Sequence, residues 1–310
     1  MSLMVDVHPV DPAVGAWLVE SGADAFGPDL RALAPAGYAA SARILHPGQV
    51  RHLPDRAMPA VDEWPAIGSA EFDRIVADIV NEPIRWDAAA RALGTARTPL
   101  STWSEIVDDP EATYGAVIGA DGREYSPGDE GSMAPELLAL VARHLVEHTS
   151  TPDAGVAALW EGWGGLVGAA GGVGSAVFTS ARPPGRLRSW LSLRFSPPFL
   201  PRRRRWHDGI LSREVSEGPR LRLPGRDYIT FAAPPRIFTD PTWTHDVPWR
   251  DPALEGRGWT PAVHPSLVWP HDRSWVLVSE IDLDSTVVAG SRALVDELCA
   301  DPDIEALDIS

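Results

Sequence analysis

A chain of 310 residues with 44% hydrophobic and 23% charged content is typical of a globular protein, with room for one large domain or two small ones. Its formal net charge of −16 argues against nucleic acid as the partner of the whole molecule, because phosphate binding needs a basic surface. All 27 basic residues are arginine, and the absence of lysine excludes Schiff-base enzymes, pyridoxal phosphate enzymes and P-loop nucleotide-binding proteins.

The first half of the chain contains the clearest helix signals. Asp11 can cap a helix that runs to Glu20, and Pro12 suits its first position. Further helices are predicted over Ser69–Val80, Asp87–Leu93 and Pro135–His148. The N-terminus has no basic region ahead of an apolar stretch, so we expect a cytoplasmic protein without a secretory signal or a transmembrane segment.

Short apolar or aromatic stretches bounded by Gly, Pro or Asp predict strands in the second half. They are GVAALWEGW from residue 155, RDYITFAA from residue 226 and SWVLVSEIDL from residue 274. Helices dominate the first half and strands the second. The sequence therefore predicts a single α+β domain over residues 1–310, in which a mostly antiparallel sheet packs against helices.

Residues 166–225 differ in composition from the rest of the chain. The stretch opens rich in Gly and Ala, and twelve arginines stand against three carboxylates between residues 182 and 226. Such a stretch buries too little apolar area to order itself, which predicts a flexible Arg-rich insertion within the domain. It could fold back on the acidic remainder, or it could contact an anionic surface through residues 182–206, which include Arg202, Arg203, Arg204 and Arg205.

The most suggestive catalytic pattern is VLVSEIDLDSTVVAGS, which resembles the first motif of the haloacid dehalogenase superfamily. In that motif a buried strand delivers a nucleophilic Asp and a second Asp that acts as general acid and base. On an extended strand Glu280, Asp282 and Asp284 would share one face, where they could also hold a divalent cation. Only 28 residues follow Asp282, too few to complete the dehalogenase fold. The alternative is a strand whose polar end leaves the sheet, followed by a turn in which Ser291 caps a last helix, Arg292–Ala300.

A second candidate site lies on the fourth predicted helix. His144, Glu147 and His148 form the pattern H-x-x-E-H, the inverted motif of zinc proteases. On a helix the two histidines project from one side, one turn apart, as zinc ligands must, and Glu147 lies beside them as the candidate base. A third ligand could come from Glu214 or Glu217. The alternative is a pair of helix-face histidines held by hydrogen bonds.

The tryptophans and the single cysteine are candidate core residues. The chain has 13 tryptophans. Indoles near prolines and histidines could line a ligand groove, but packing of a loop-rich core is the commoner use of so large an apolar side chain. The single cysteine, Cys299, lies in an apolar-periodic stretch and is expected to be a buried structural thiol. Five tryptophans of the last third are assigned to the core: Trp243, Trp249, Trp259, Trp269 and Trp275.

Four stretches resemble a group of actinomycete-type proteins with no assigned activity. They are HTSTPD, ALWEGWG, RDYITFAAPP and WPHDRSWVLVSEIDLDSTVVAGSRALVDEL. The likeness covers residues 80–165 and 226–310 and leaves out the Arg-rich stretch. It implies a cytoplasmic bacterial protein and supplies no catalytic residues.

The sequence contains neither a G-x-S-x-G motif nor a catalytic spacing of Cys and His, so whether the protein is an enzyme stays open. A non-enzymatic binding or interaction module is the preferred prediction, supported by the Trp-rich loops and the charge asymmetry. One alternative is a zinc-dependent hydrolase that uses His144, Glu147 and His148. Another is an anionic-surface binder that works through residues 182–206. Asp282 and Asp284 are further candidate metal ligands.

Overall fold

The computed structural model describes residues 7–22, 30–60, 63–109, 115–170, 206–257 and 259–310. The chain divides into two compact units, a main unit of Met1–Trp160 with Pro219–Ser310 and a small unit of Glu161–Gly218. Most of the Arg-rich stretch, residues 171–205, lies outside the described residues, so the insertion over residues 166–225 stays a prediction.

The helices of the main unit are short, apart from α5. Within the described residues, none has the length and apolar character needed to cross a bilayer. Short 3₁₀ turns occur at Pro12–Gly15, Leu30–Ala32, Trp64–Ala66, Pro235–Thr239 and Pro241–His245. The α-helices are α1 (Ala16–Glu20), α2 (Ser69–Asp78), α3 (Trp86–Leu93), α4 (Trp103–Val107), α5 (Pro135–Glu147), α6 (Arg213–Ser216, in the small unit), α7 (Pro252–Glu255) and α8 (Arg292–Ala300).

The strands occur throughout the chain. The small unit contains β8 (Ala169–Ala170) and β9 (Trp206–His207). Those of the main unit are β1 (His8–Pro9), β2 (Ala40–Leu45), β3 (Gly48–His52), β4 (Val80–Ile84), β5 (Val117–Ile118), β6 (Glu124–Ser126), β7 (Gly155–Trp160), β10 (Leu221–Leu223), β11 (Arg226–Ala232), β12 (Leu267–Pro270), β13 (Val276–Val278), β14 (Ser285–Gly290) and β15 (Ala306–Asp308).

Two antiparallel sheets form the frame of the main unit. In the described residues the larger one has nine strands in the order β1-β11-β7-β12-β13-β14-β2-β15, with β10 beside β11. The smaller one has the order β4-β3-β6-β5. Helices pack against these sheets, and the predicted α+β class is confirmed.

Several predicted elements lie where the sequence placed them. Helix α8 has the predicted bounds, and the Ser291 hydroxyl caps it by accepting the N–H of Leu294 at 3.2 Å. Helix α2 ends earlier than predicted because Val80 begins strand β4. The prediction that helices dominate the first half and strands the second is confirmed for the described residues, since α1 to α5 lie before residue 148 and β7 to β15 after residue 154. Strands β1 to β6, all before residue 127, were not predicted.

Different elements pack against the two faces of the large sheet. On one face, Leu18 of α1 and Leu33 pack with Val156, Trp269 and other sheet residues into an apolar core. On the other face lies α5, whose Leu145 carbonyl accepts the indole N–H of Trp275 at 2.8 Å. Burial of the sheet on both sides removes most of its apolar surface from water.

The small sheet has cores of its own. Helices α3 and α4 cover it through Trp86, Trp103 and Ile106. A separate, smaller cluster of Leu53, Met58 and Ile75 lies beneath α2. Ile75 is the only residue of α2 that is buried, so this helix has a small anchor in the fold.

The described tryptophans of the last third follow the core prediction with one exception. Trp243, Trp249, Trp269 and Trp275 are buried, whereas Trp259 is exposed. The expectation of a buried Cys299 is wrong as well. Its side chain is exposed on the outer side of α8, because the buried positions of that helix are Leu294, Val295 and Leu298.

A carboxylate from the end of the chain caps helix α3. Glu305 accepts the backbone N–H groups of Trp86 at 2.7 Å and Asp87 at 3.0 Å, and it pairs with Arg97 at 3.1 Å. Arg85, at the N-cap position, makes no side-chain cap. Glu305 therefore satisfies helix-terminal donors and places its negative charge at the positive end of the helix.

We expect Glu305→Ala to lower the free energy of unfolding by about 2 to 4 kcal/mol, because it leaves buried N–H groups and Arg97 without their acceptor. Chemical denaturation measures this change. The control is Glu82→Ala, which removes an exposed carboxylate of β4 and should change the free energy of unfolding by less than about 0.5 kcal/mol. Similar small effects of the two substitutions would contradict the capping role.

Candidate functional site

The two histidines of the H-x-x-E-H pattern face the last helix. His144 Nε2 lies 2.7 Å from Asp301 Oδ2, and His148 Nε2 lies 2.9 Å from Glu297 Oε2. Glu147 is exposed. The carboxylates beside the histidines thus come from α8 and the residue after it, rather than from Glu214 or Glu217 as predicted.

These contacts join α5 to α8. A hydrogen bond from His148 lowers the pKa of Glu297, and a hydrogen bond from His144 lowers the pKa of Asp301. Within the described ranges, no group of three or more His, Cys, Asp or Glu side chains is placed to hold a metal ion. The zinc hypothesis for His144 and His148 stays a prediction, and the observed contacts are hydrogen bonds from the two imidazoles to Asp301 and Glu297.

The aspartates of the dehalogenase-like stretch do not share a site. Strand β13 ends at Val278, and a turn before β14 holds both residues, so the predicted common face of one strand is wrong. Asp282 Oδ2 lies 2.6 Å from Arg226 Nη2, whereas Asp284 Oδ1 lies 3.7 Å from Arg43 Nη2. Each carboxylate therefore faces a different arginine.

The predicted anionic-surface contacts cannot be placed. Arg202, Arg203, Arg204 and Arg205 lie outside the described residues. The hypothesis that residues 182–206 bind an anionic surface remains a prediction from composition alone.

A row of buried polar side chains crosses four neighbouring strands of the large sheet. We call Ser266, Ser279, Thr286 and His46 the polar row; they lie at or next to the ends of β12, β13, β14 and β2. The Ser279 and Thr286 hydroxyl oxygens are 3.0 Å apart, and Thr286 Oγ1 is 2.9 Å from His46 Nε2. The sequence analysis did not identify this row, because its imidazole, His46, lies 240 residues from Thr286 in the chain.

Burial fixes the direction of these hydrogen bonds. It lowers the pKa of His46 to about 4, so the imidazole is neutral at physiological pH. His46 Nδ1 lies 2.7 Å from the Asp129 carbonyl oxygen, which can only accept, so Nδ1 carries the proton. Nε2 then accepts from Thr286, and Thr286 accepts from Ser279.

A hydroxyl that donates to an imidazole is the arrangement that activates a nucleophile in acyl transfer. The side chains here are closed to substrate, since Thr286, Ser279 and His46 are 0%, 1% and 2% exposed. The polar row therefore acts as an internal brace between strands.

His264 lies beside the polar row and is fully buried. Burial and the nearby His46 lower its pKa to about 3, and the backbone of Pro265 offsets only part of that effect. Neither ring nitrogen makes a well-formed hydrogen bond within the described residues. This imidazole is consequently neutral, and its burial costs stability.

Arg43 supplies a buried positive charge next to the polar row. Its Nε donates to the Ser285 hydroxyl at 2.9 Å, and its Nη1 donates to the Ser101 carbonyl at 2.7 Å. Asp284 is the nearby carboxylate; burial raises its pKa to about 6, and Arg43 offsets part of the rise. Asp284 thus titrates near neutral pH, but Arg43 and its other partners are enclosed.

An accessible candidate site lies on the small sheet and α2. Phe72 and Val76 are one helical turn apart and are 43% and 49% exposed, and Val80 of β4 is 37% exposed. The Trp64 ring packs edge-on against Phe72 at 5.7 Å between centroids. We call Trp64, Phe72, Val76 and Val80 the α2–β4 surface. Exposed apolar patches can mark interaction sites, which makes these side chains a candidate surface.

The α2–β4 surface has an acidic border. Between residues 63 and 84 the chain contains five carboxylates and one arginine, Arg74. The periodicity of α2 was recognised from the sequence, but periodicity alone does not tell which apolar side chains a neighbour will cover.

No protein-family model matches the chain, no curated protein matches it, and no solved structure matches it. The comparisons therefore assign the chain to no family.

The two buried histidines predict a pH-dependent stability. Unfolded imidazole takes up a proton below about pH 6.5, whereas folded His46 and His264 resist protonation down to about pH 4 and 3. Stability should be full above pH 6.5 and fall as the pH drops. Between pH 7.5 and pH 5, each histidine should lower the free energy of unfolding by about 2 kcal/mol. The raised pKa of Asp284 should increase the free energy of unfolding by about 1 kcal/mol over the same range.

Replacement of the imidazole tests this assignment. From pH 7.5 to pH 5, the free energy of unfolding measured in urea should fall by about 2 kcal/mol less in His264→Phe than in the wild type. The same loss in both proteins would show that His264 is not buried in its neutral form.

Proposed function

We propose that the protein is a non-enzymatic interaction module whose α2–β4 surface binds a protein segment with basic and apolar side chains. The observation that supports it is the exposure of Phe72 and Val76 on α2, a helix with one buried residue, and of Val80 at the start of β4. In keeping with the sequence, we place the protein in the bacterial cytoplasm.

The apolar side chains provide the attraction. An exposed Phe or Val keeps its apolar area in water, and a partner that covers it gains about 25 cal/mol for each Å² removed. Phe72 is already oriented by Trp64 at its edge, so little ordering of that ring is needed on binding.

The carboxylates select the partner. Glu71, Asp73, Asp78 and Glu82 are exposed around the apolar side chains. A basic segment would pair with them, whereas a second copy would bring its own carboxylates into contact and be repelled. The acidic charge therefore favours a basic partner over self-association.

The strand edge does not provide the binding mode. Strand β4 is at the edge of the small sheet, and it contains Pro83, which has no N–H to offer an added strand. A partner would lie across α2 and contact side chains instead of extending the sheet.

The other hypotheses have less support. A zinc hydrolase would need His144 and His148 free to coordinate, and both Nε2 atoms already contact carboxylates. The anionic-surface hypothesis rests on residues outside the described part of the chain.

A pair of synthetic peptides tests the proposal. One is an amphipathic helix of Leu and Arg, and the other has every Arg replaced by Glu. We expect the Arg peptide to bind, the Glu peptide not to bind, and Phe72→Ser/Val76→Ser to weaken the Arg peptide at least tenfold in fluorescence titration, since each buried apolar side chain contributes about 1.5 kcal/mol or more.

The matched control is Val14→Ser/Val19→Ser, which removes two exposed apolar side chains near α1. Both double variants change exposed residues and should melt within a few degrees of the wild type. Equal affinity of the Arg peptide for the two variants would contradict the proposed surface, as would equal binding of the Arg and Glu peptides.

A further inference from the structure

We propose that a cleft between Arg56 and Arg123 binds a small anion through a phosphate or carboxylate group. This inference goes beyond the proposed function, because it concerns a different ligand chemistry; Glu71, which pairs with Arg56, is a residue that the two sites share. We call the site the Arg56–Arg123 cleft.

The cleft has the size of a small-molecule site. Its volume is about 400 Å³, and its lining includes His52, Arg56, Asp121, Gly122 and Arg123. Small-molecule pockets start at about 300 Å³. A phosphate or carboxylate on a small organic molecule therefore fits in it.

A backbone contact holds the two sides of the cleft together. The Met58 N–H donates to the Gly122 carbonyl at 2.8 Å. Gly122 has a φ of +76°, and a Cβ added there would lie 2.8 Å from the Ala57 Cβ. Arg56 and Arg123 are the residues that flank this close approach, so their backbones are fixed on opposite sides of the cleft.

Both guanidinium groups have donors to offer. Arg56 and Arg123 side chains are each 50% exposed. The contact of Arg56 with Glu71 is between half-exposed groups at 3.3 Å, which is a weak pair in water. Asp121 is 3.8 Å from Arg123 Nε, beyond hydrogen-bond distance.

The carboxylate in the cleft, Asp121, accepts hydrogen bonds from two other groups. Asp121 Oδ2 accepts the Tyr125 hydroxyl at 2.7 Å, and Oδ1 accepts the Arg123 backbone N–H at 3.1 Å. Burial and this hydrogen bond raise the pKa of Tyr125 to about 12. The His52 Nδ1 atom is buried and has no hydrogen-bond partner among the described residues.

The chemistry of these groups selects an oxyanion. A planar guanidinium presents paired N–H donors that match the two oxygens of a phosphate or carboxylate. The whole chain has a net charge of −16, but the residues that line this cleft include two arginines and one carboxylate. Their positive charge would attract such an anion locally.

The test is a titration followed by amide NMR, with inorganic phosphate and citrate as probes and sodium chloride at equal ionic strength as the blank. We expect saturable shifts around residues 52–58 and 121–123 with at least one probe, and the two arms tell whether phosphate or carboxylate is preferred. Arg56→Gln and Arg123→Gln should each weaken binding roughly tenfold or more, because each removes charged hydrogen bonds to the anion.

The matched control is Arg91→Gln, which removes an exposed arginine from α3 and should leave binding unchanged. Arg56→Lys and Arg123→Lys keep the charge and should retain part of the affinity, which separates loss of binding from loss of folding. Shifts no larger than the chloride blank with both probes, or equal affinity in Arg56→Gln, Arg123→Gln and Arg91→Gln, would overturn the proposal.

Discussion

The buried guanidinium of Arg43 is the interaction on which the main unit depends. A buried cation is stable only if its donors are paired, and here the acceptors come from Ser285 of β14 and from the carbonyl of Ser101, just before α4. The ring of Trp86, the first residue of α3, lies 5.2 Å from the Arg43 Cζ atom. One side chain thus fixes the large sheet to the helices that cover the small one.

This interior encloses the side chains whose arrangement most resembles a catalytic one. His46, Ser279 and Thr286 have the connectivity of a catalytic relay, but they are enclosed by the sheet and brace its strand ends. Helix α2 is tied to the fold through Ile75 and presents Phe72 and Val76 to solvent. The main unit thus encloses a few hydrogen-bonded polar side chains within a largely apolar interior, while α2 exposes apolar side chains to solvent.

Features that depend on neighbouring residues could be predicted from the sequence, whereas features that depend on contacts between distant residues could not. Helix α8 and its Ser291 cap depend on neighbouring residues, so their bounds were predicted correctly. Strand β2 was missed because Arg43 interrupts its apolar pattern, and that arginine is satisfied only by groups 58 and 242 residues away. The exposure of Phe72 was likewise invisible, since an amphipathic helix does not reveal which apolar side chains its neighbours will cover.

In vivo photocrosslinking tests the central claim, that a basic partner covers the α2–β4 surface, most directly. A photoreactive amino acid replaces Val76 in one strain and Val19, an equally exposed valine on α1, in another. We expect an adduct at position 76 whose crosslinked peptide contains basic and apolar residues, with little adduct at position 19. Absence of an adduct at position 76, equal yields at the two positions, or an acidic crosslinked peptide would contradict it.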